Sequence, residues 1–374
     1  MGVQFIGMIQ PNEISETFAQ RGANVNPAFV RAFAQAHEHA GFDRVLVPSS
    51  GTSPDTVLTV TYAALATQRI HFLLAHRPGF VAPTLAARQF ATLDQYIDGR
   101  LAVHYITGGS DADQARDGDF VGHDERYARS DEYLEVLRKV WTADQPFDHE
   151  GKFYRFENAW SEVKPVQQPY VPIFFGGASA PALEVAGKHA DVYALWGESL
   201  SQAESLVSQV RASAARHQRD IGFSISFRPI LGRTEGEAWD KAARILEDTQ
   251  ALQAKSGIAQ GFARGGPAQS VGAQRLLADA AKGDVVDERL WTALAKQTGG
   301  RSNSTSLVGT PEQVADALLK YHALGIERFL IRGFDPLLDA VEYGRELIPL
   351  VREKVAAREA QAQTQALALS RKAA

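Results

Sequence analysis

Short, nearly continuous apolar runs alternate along this chain with longer segments whose apolar positions recur every three to four residues. The runs are QFIGMI (4–9), RVLVP (44–48), HFLLAH (71–76), LAVHYIT (101–107), PIFFGG (172–177), DVYALWG (191–197), FSISFRPIL (223–231) and RFLIRG (328–333). All are of strand length. Between them lie amphipathic stretches such as PAFVRAFAQAHEHAG (27–41), PTLAARQFATLDQYIDG (83–99) and RSDEYLEVLRKVW (129–141). Asn26 before Pro27, with Gly41 behind the last periodic residue, supplies the start and stop of a helix. Apolar strands joined by crossover helices form a parallel sheet. Eight such units predict an α/β fold, the (β/α)8 TIM barrel, because eight parallel strands close a ring. An open doubly wound sheet is the competing architecture. The first strand is not followed by G-x-G-x-x-G, which speaks against its dinucleotide-binding form.

Two stretches break the rhythm. Residues 146–172, PFDHEGKFYRFENAWSEVKPVQQPYVP, are rich in turn formers and aromatics and predict a hairpin followed by a surface loop. Near residue 255 an excursion, AKSGIAQGFARGGPAQSVGAQ, leads through helical material to QTGGRSNSTSLVG (297–309). It interrupts the return from the seventh strand to the eighth, so on a barrel it emerges at the catalytic face as a long mobile lid. The expected organisation is one domain, residues 1–353, with insertions at about 143–171 and 255–306 and a polar helical tail at 354–374.

Composition narrows the class further. Of the 374 residues, 45% are hydrophobic and 22% charged, as in an ordinary globular protein. A net charge of −5 without basic blocks offers no surface to nucleic acid. No apolar run approaches membrane-spanning length, and MGVQFIGMIQ has no cationic segment before its apolar residues, so a cytoplasmic location is expected. The absence of cysteine removes disulfides, iron–sulfur clusters and thiolate catalysis together.

Candidate chemistry gathers after the predicted strands. In FFGGASAP (174–181) two glycines let the backbone approach an anion, free amides at a helix start donate to it, and Ser179 adds a hydroxyl. A tight strand-to-helix turn would use the same residues. In HYITGGSD (104–111), Thr107 ends a strand and can meet the edge of a planar heterocycle or cap a turn. His123, Arg126 and Tyr127 stand before the helix of GHDERYARSDEYLEVLRKVW (122–141), where Tyr127 packs on the core in the plainest reading. No metal site is expected. His37 and His39 are two apart on a helix and point apart, and DADQARDGD (111–119) lacks the bidentate Glu of a calcium loop.

Taken together, PTLAARQ (83–89), ATLDQ (91–95), DGR (98–100), ITGG (106–109), HDERY (123–127), EGKFY (150–154), PVQQPYVPIFFGGAS (165–179) and LVGTPEQVA (307–315) resemble one family. The chain is similar, over about residues 3–353, to bacterial-luciferase-like flavin monooxygenases of the alkanesulfonate monooxygenase branch. The resemblance implies a barrel that takes reduced FMN from a separate NAD(P)H-dependent flavin reductase and, with O2, oxygenates a small anionic organosulfur substrate. In that branch the carbon–sulfur bond is cleaved to an aldehyde and sulfite, and members form homodimers or homotetramers. It further implies that Gly177, Ala178, Ser179 and Tyr127 hold the FMN phosphate, that Thr107 meets the ring edge, and that Ala75 lies close to the ring.

The substrate-facing positions depart from that branch. Gln10 stands where its members carry His, Ser53 where they carry Cys, Ser226-Phe227-Arg228 for R-x-H, and Gly333-Phe334-Asp335 for G-Y-P, while Trp196 matches. Arg228 is then the fixed fork for an anion, unless a structural Glu takes it, and Arg301 closes over the substrate from the lid. His76 is the acid–base candidate; His104, mid-strand, reads as a core residue. Two alternatives keep the fold: hydride transfer with deazaflavin F420, and flavin binding without turnover.

Overall fold

The computed structural model describes residues 2–256, 270–300 and 304–373. In chain order the elements are β1 (Gln4–Met8), α1 (Pro27–His39), β2 (Arg44–Val47), α2 (Thr56–Ala64), β3 (His71–His76), α3 (Pro83–Tyr96), β4 (Leu101–Tyr105), α4 (Asp111–Arg116) and α5 (His123–Thr142). There follow β5 (Phe147–Glu150), β6 (Arg155–Ala159), β7 (Ile173–Gly176), α6 (Ala180–His189), β8 (Val192–Trp196), α7 (Leu200–Arg216), β9 (Gly222–Phe227), β10 (Ile230–Leu231) and α8 (Glu235–Ser256). The last part holds α9 (Val271–Lys282), β11 (Val285–Val286), β12 (Leu290–Trp291), α10 (Ala293–Thr298), β13 (Ser306–Gly309), α11 (Pro311–His322), β14 (Arg328–Ile331), α12 (Pro336–Glu342) and α13 (Ile348–Ala373).

Eight parallel strands close a barrel in the order β1-β14-β9-β8-β7-β4-β3-β2, and each of the eight apolar runs supplies one of them. The architecture is the (β/α)8 barrel with insertions. Because strand side chains alternate, the barrel has two cores. Ile6, Leu73, Ala102, Phe174 and Val192 fill the inside, with Leu46 and Leu330 packed against them. Their strand neighbours Phe5, Val45, Phe72, Val103 and Phe175 face outward into the larger layer under the helices.

Helix α1 shows how local chemistry fixes this layer. The Asn26 side chain accepts from the Phe29 amide, Pro27 opens the first turn, and Gly41 leaves in a left-handed conformation, φ +82°. The helix lies so close to β1 that a Cβ on Gly7 would sit 2.1 Å from His37 Cδ2. His37 itself is buried, its Nδ1 donating to the Phe33 carbonyl at 2.9 Å.

The predicted hairpin is β5 paired antiparallel with β6. The described part of the second insertion is more ordered in its architecture than a Gly-rich lid. Strands β10, β13, β12 and β11 form a four-stranded sheet, and Ile230, Trp291, Leu294, Val308 and Phe334 share a second apolar cluster. The reason is compositional: Trp291, Ala293 and Leu294 bring apolar surface that packs with Ala238, Ala242 and Ile245 of α8 into a core. The tail is helical from Ile348, ahead of residue 353. Among the described residues no helix is long and apolar enough to cross a membrane.

Gly7→Ala is expected to destabilise the protein by about 1–3 kcal/mol through overpacking against His37, measured by chemical denaturation. Unchanged stability would show that α1 stands off from β1.

Candidate active site

The carboxyl end of the barrel is hollow for a reason visible in the strands. Ala75, His104, Gly176 and Ala194 each lie two residues beyond an interior core residue, namely Leu73, Ala102, Phe174 and Val192, so all four face the axis. Ala75 pairs in register with His104, and Gly176 with Ala194. Ser226 continues the ring opposite Trp196. Apart from His104 and Trp196 these side chains are small, which leaves room over one side of the mouth. An open groove of about 320 Å³ also lies between α2 and α3, but its lining by Leu74, His76 and Gln89 places it on the helix side of β3.

The turn after β7 is a cradle. Gly177 has φ +121°, and a Cβ there would fall 2.7 Å from the Tyr127 hydroxyl and 2.9 Å from Ala182 Cβ. Only glycine fits. The Tyr193 hydroxyl donates to the Gly177 carbonyl and fixes the turn from the next strand. Ser179 occupies the N-cap of α6 yet makes no capping bond, and its Oγ is buried without a hydrogen-bond partner among the described residues. Tyr127 faces it from the first turn of α5. Burial raises the phenol's pKa and outweighs the opposing influence of the neighbouring Ser179 hydroxyl, so Tyr127 is a neutral donor. An orphaned hydroxyl, a neutral phenol, a glycine with no room for a side chain and the free amides of a helix start fit a phosphate group.

The two histidines exchange their expected places. His76 points outward: its Nε2 lies 2.7 Å from the Tyr133 hydroxyl, and its ring meets Phe90 and Tyr105 edge-on. It belongs to the helix layer and not to the mouth, because one step along β3 separates it from inward-facing Ala75. His104 faces the hollow, with Nδ1 buried and unpartnered among the described residues. Burial outweighs the opposing pull of the nearby Phe174 backbone and brings its pKa down to about 4, so the ring is neutral at pH 7. Thr107 likewise turns from the hollow: its hydroxyl meets Ser130 of α5 at 3.1 Å, and its carbonyl accepts from Gln114 at 2.9 Å.

Arg228 is not a free fork. It is 1% exposed, donates to Glu16 at 2.7 Å and to the Gly333 carbonyl at 2.9 Å, and lies 3.5 Å above the Phe334 ring. Glu16 also meets Arg332, a residue the sequence reading missed. Burial pushes the Glu16 carboxyl upward, but Arg228 and Arg332 overcome this and hold it well below the usual carboxylate range. No spacing signal links residues 16, 228 and 332; only ring closure between β1, β9 and β14 brings them together. Phe334 is 3% exposed and backs the guanidinium instead of lining an opening. The Ser53 hydroxyl closes its own turn on the Ser50 amide and carbonyl, at 2.8 and 3.0 Å. Gln10 donates to the Ile14 carbonyl at 2.6 Å in the loop that carries Glu16. Trp196 stands at the mouth, 38% exposed. Arg301 lies outside the described residues.

The acidic stretch 111–119 braces this end. Arg77 bonds Asp113 and Asp117, Asp113 also accepts from the Gly51 amide, and Arg129 bonds Asp119.

Glu16→Gln is expected to cost about 3–5 kcal/mol, since it leaves two buried guanidinium groups facing a neutral amide; denaturation curves matching those of wild type would mean that solvent reaches the pair. His104 carries a pH signature. Its folded pKa lies below the ordinary 6.5, so the unfolded chain binds the proton first and stability declines as pH falls from 6.5 toward about 4. His104→Asn should make that decline shallower by up to about one proton in slope. A slope identical to wild type would place His104 in contact with water.

Comparison with known proteins bears on family and fold. Residues 7–328 match the family described as Luciferase-like monooxygenase. Among solved structures, a riboflavin lyase, RcaE, with modified FMN and riboflavin superposes at TM-score 0.78 and 20% identity, over 95% of this chain and 92% of that one. EDTA monooxygenase from Chelativorans sp. BNC1 gives 0.73 at 18%, covering 95% and 94%. DmoA from Hyphomicrobium sulfonivorans gives 0.74 at 20%, covering 94% and 88%. At such identities these structures establish the fold, while the family match over most of the chain establishes kinship: this protein belongs to the luciferase-like monooxygenase family.

Proposed function

We propose that this chain is the oxygenase of a two-component system. It binds reduced FMN delivered by a separate NAD(P)H-dependent reductase and, with O2, oxygenates a small organosulfur anion, of alkanesulfonate type, to an aldehyde and sulfite. The observation that carries the cofactor reading is the turn at Gly177–Ser179, where a buried hydroxyl makes no hydrogen bond among the described residues and a glycine, with no room for a side chain, lets the backbone lie against Tyr127 and Ala182. The amides of Gly177 and Ala178 with the Ser179 and Tyr127 hydroxyls would hold the phosphate. Ala75, Gly176 and Ala194 leave room for a planar ring, and reduced FMN, when bound, supplies the electrons that activate dioxygen.

The chain's own residues do the rest. His104, neutral at pH 7, offers a lone pair or a proton to whatever enters the hollow. Trp196 shields the mouth from water. Arg228 and Arg332 share a single carboxylate, Glu16. The Asp339 carboxylate nearby is itself answered by Lys241 and by the Phe334 and Asp335 amides. Lys241 is shared with Glu342, so three cations stand against three carboxylates here and the cluster holds the mouth together instead of offering a free charge to an anion. EDTA monooxygenase acts, by its name, on a polycarboxylate, which agrees with an anion as substrate.

Anaerobic titration of the wild type should show saturable binding of reduced FMN in preference to F420. Ser179→Ala should weaken that binding by about 1.5–3 kcal/mol, the value of one charge-assisted hydrogen bond. Tighter binding of F420 would transfer the protein to hydride-transfer chemistry. With reductase, NADH and a panel of sulfonates, sulfite release is expected; oxygenated product without sulfite from any sulfonate would remove the carbon–sulfur cleavage step.

A further inference from the structure

Helix α9 lies across the mouth and is tied down along one face. Gly272, Arg275 and Asp279 are spaced i, i+3 and i+7, so they form a single stripe. They meet, in order, the last residue of β8, Trp196, and then Glu198 and Ser199 just beyond it. Gly272 packs on Trp196. Arg275 grips the buried carboxylate of Glu198, with Nε–Oε1 at 2.9 Å. Asp279 accepts from the Ser199 amide and hydroxyl, both at 2.7 Å. The Tyr321 hydroxyl holds the Glu198 carbonyl from behind at 2.8 Å. The start of α9 also reaches the β4 loop, where a Cβ on Gly109 would lie 3.6 Å from Ser270 Cβ, an ordinary contact.

At the contact with Trp196 there is no slack. A Cβ on Gly272 would fall 2.9 Å from Trp196 Cδ1 and 3.0 Å from Nε1. Gly272 is buried in a helix where alanine suits the backbone better, so its small size answers the indole and not the helix. The ring it touches is the largest side chain on the inward face of β8 and is still 38% exposed to the opening. Arg275 and Asp279 prevent α9 from backing away. Added bulk at 272 must therefore move the indole.

We propose that Gly272 is a specificity-determining residue: held by α9 against Trp196, it sets how far the indole projects into the mouth and hence the length of substrate admitted above the flavin. This deepens the proposed oxygenase reading and rests on it for the identity of the mouth. Gly272→Ala pushes the indole into the opening and shortens the longest ligand accepted, whereas the smaller ring of Trp196→Phe takes up the added methyl.

The test is binding to the FMN-loaded enzyme by calorimetry, using n-alkyl sulfonates, carboxylates and alcohols of two to ten carbons. Gly272→Ala should lower affinity for the longest members by about tenfold or more while leaving the shortest within error. The Gly272→Ala/Trp196→Phe double variant should restore the long members. FMN affinity should stay unchanged throughout, and Trp196 emission, obtained as the difference from Trp196→Phe, should shift in Gly272→Ala. Equal loss at every chain length, absence of rescue by the double variant, or a wild type that admits no member of any series would each overturn the proposal. Failure of the oxygenase reading shows up separately, as ligand binding without oxygenated product.

Discussion

In a closed ring of eight parallel strands a side chain faces either the axis or the helices, and one step along the strand exchanges the two. That constraint decides which groups meet a ligand here. Ala75 and His76 are neighbours, yet one borders the hollow while the other bonds Tyr133 in the outer layer. His104 and Tyr105 divide in the same way, the phenol outward and the imidazole inward. The hollow itself arises because small residues recur just beyond the interior core: Ala75, Gly176 and Ala194 follow Leu73, Phe174 and Val192. Cavity and core are consecutive layers of one pattern.

Around that hollow the loops are held by charge, with the burial of each charge offset by a partner. Glu16 between Arg228 and Arg332 ties the β1 loop to β9 and β14. Asp113 joins the loops after β2, β3 and β4. Glu198 with Arg275 secures the insertion to β8. Each pair spans elements far apart in sequence, so the mouth is rigid on several sides at once. Rigidity of this kind suits a site that must keep water from a reactive intermediate.

Much of the fold was legible in the sequence because the apolar runs and cap residues are local signals. Every barrel strand coincides with a run, and Asn26, Pro27 and Gly41 bound α1 as their chemistry requires. The GGAS turn was legible for the same reason: its glycines and its serine act within a few residues. What could not be read is what depends on ring closure. Nothing in the spacing of 16, 228 and 332 announces a shared ion cluster, so the structural Glu allowed for beside Arg228 could not be named as Glu16. The direction of His76 follows from strand phase, which a continuous apolar run such as HFLLAH does not reveal. The order within residues 270–300 was obscured by the Gly-rich stretches on both sides, although Trp291 and Leu294 supplied the apolar signal.

The central claim is that the turn beyond β7 seats the phosphate of a reduced flavin. Anaerobic titration with reduced riboflavin beside reduced FMN isolates that group, because the two share the ring and differ in the phosphate. The account predicts that FMN binds at least about tenfold more tightly, the yield of even one charge-assisted hydrogen bond. Equal affinity for the two would contradict it.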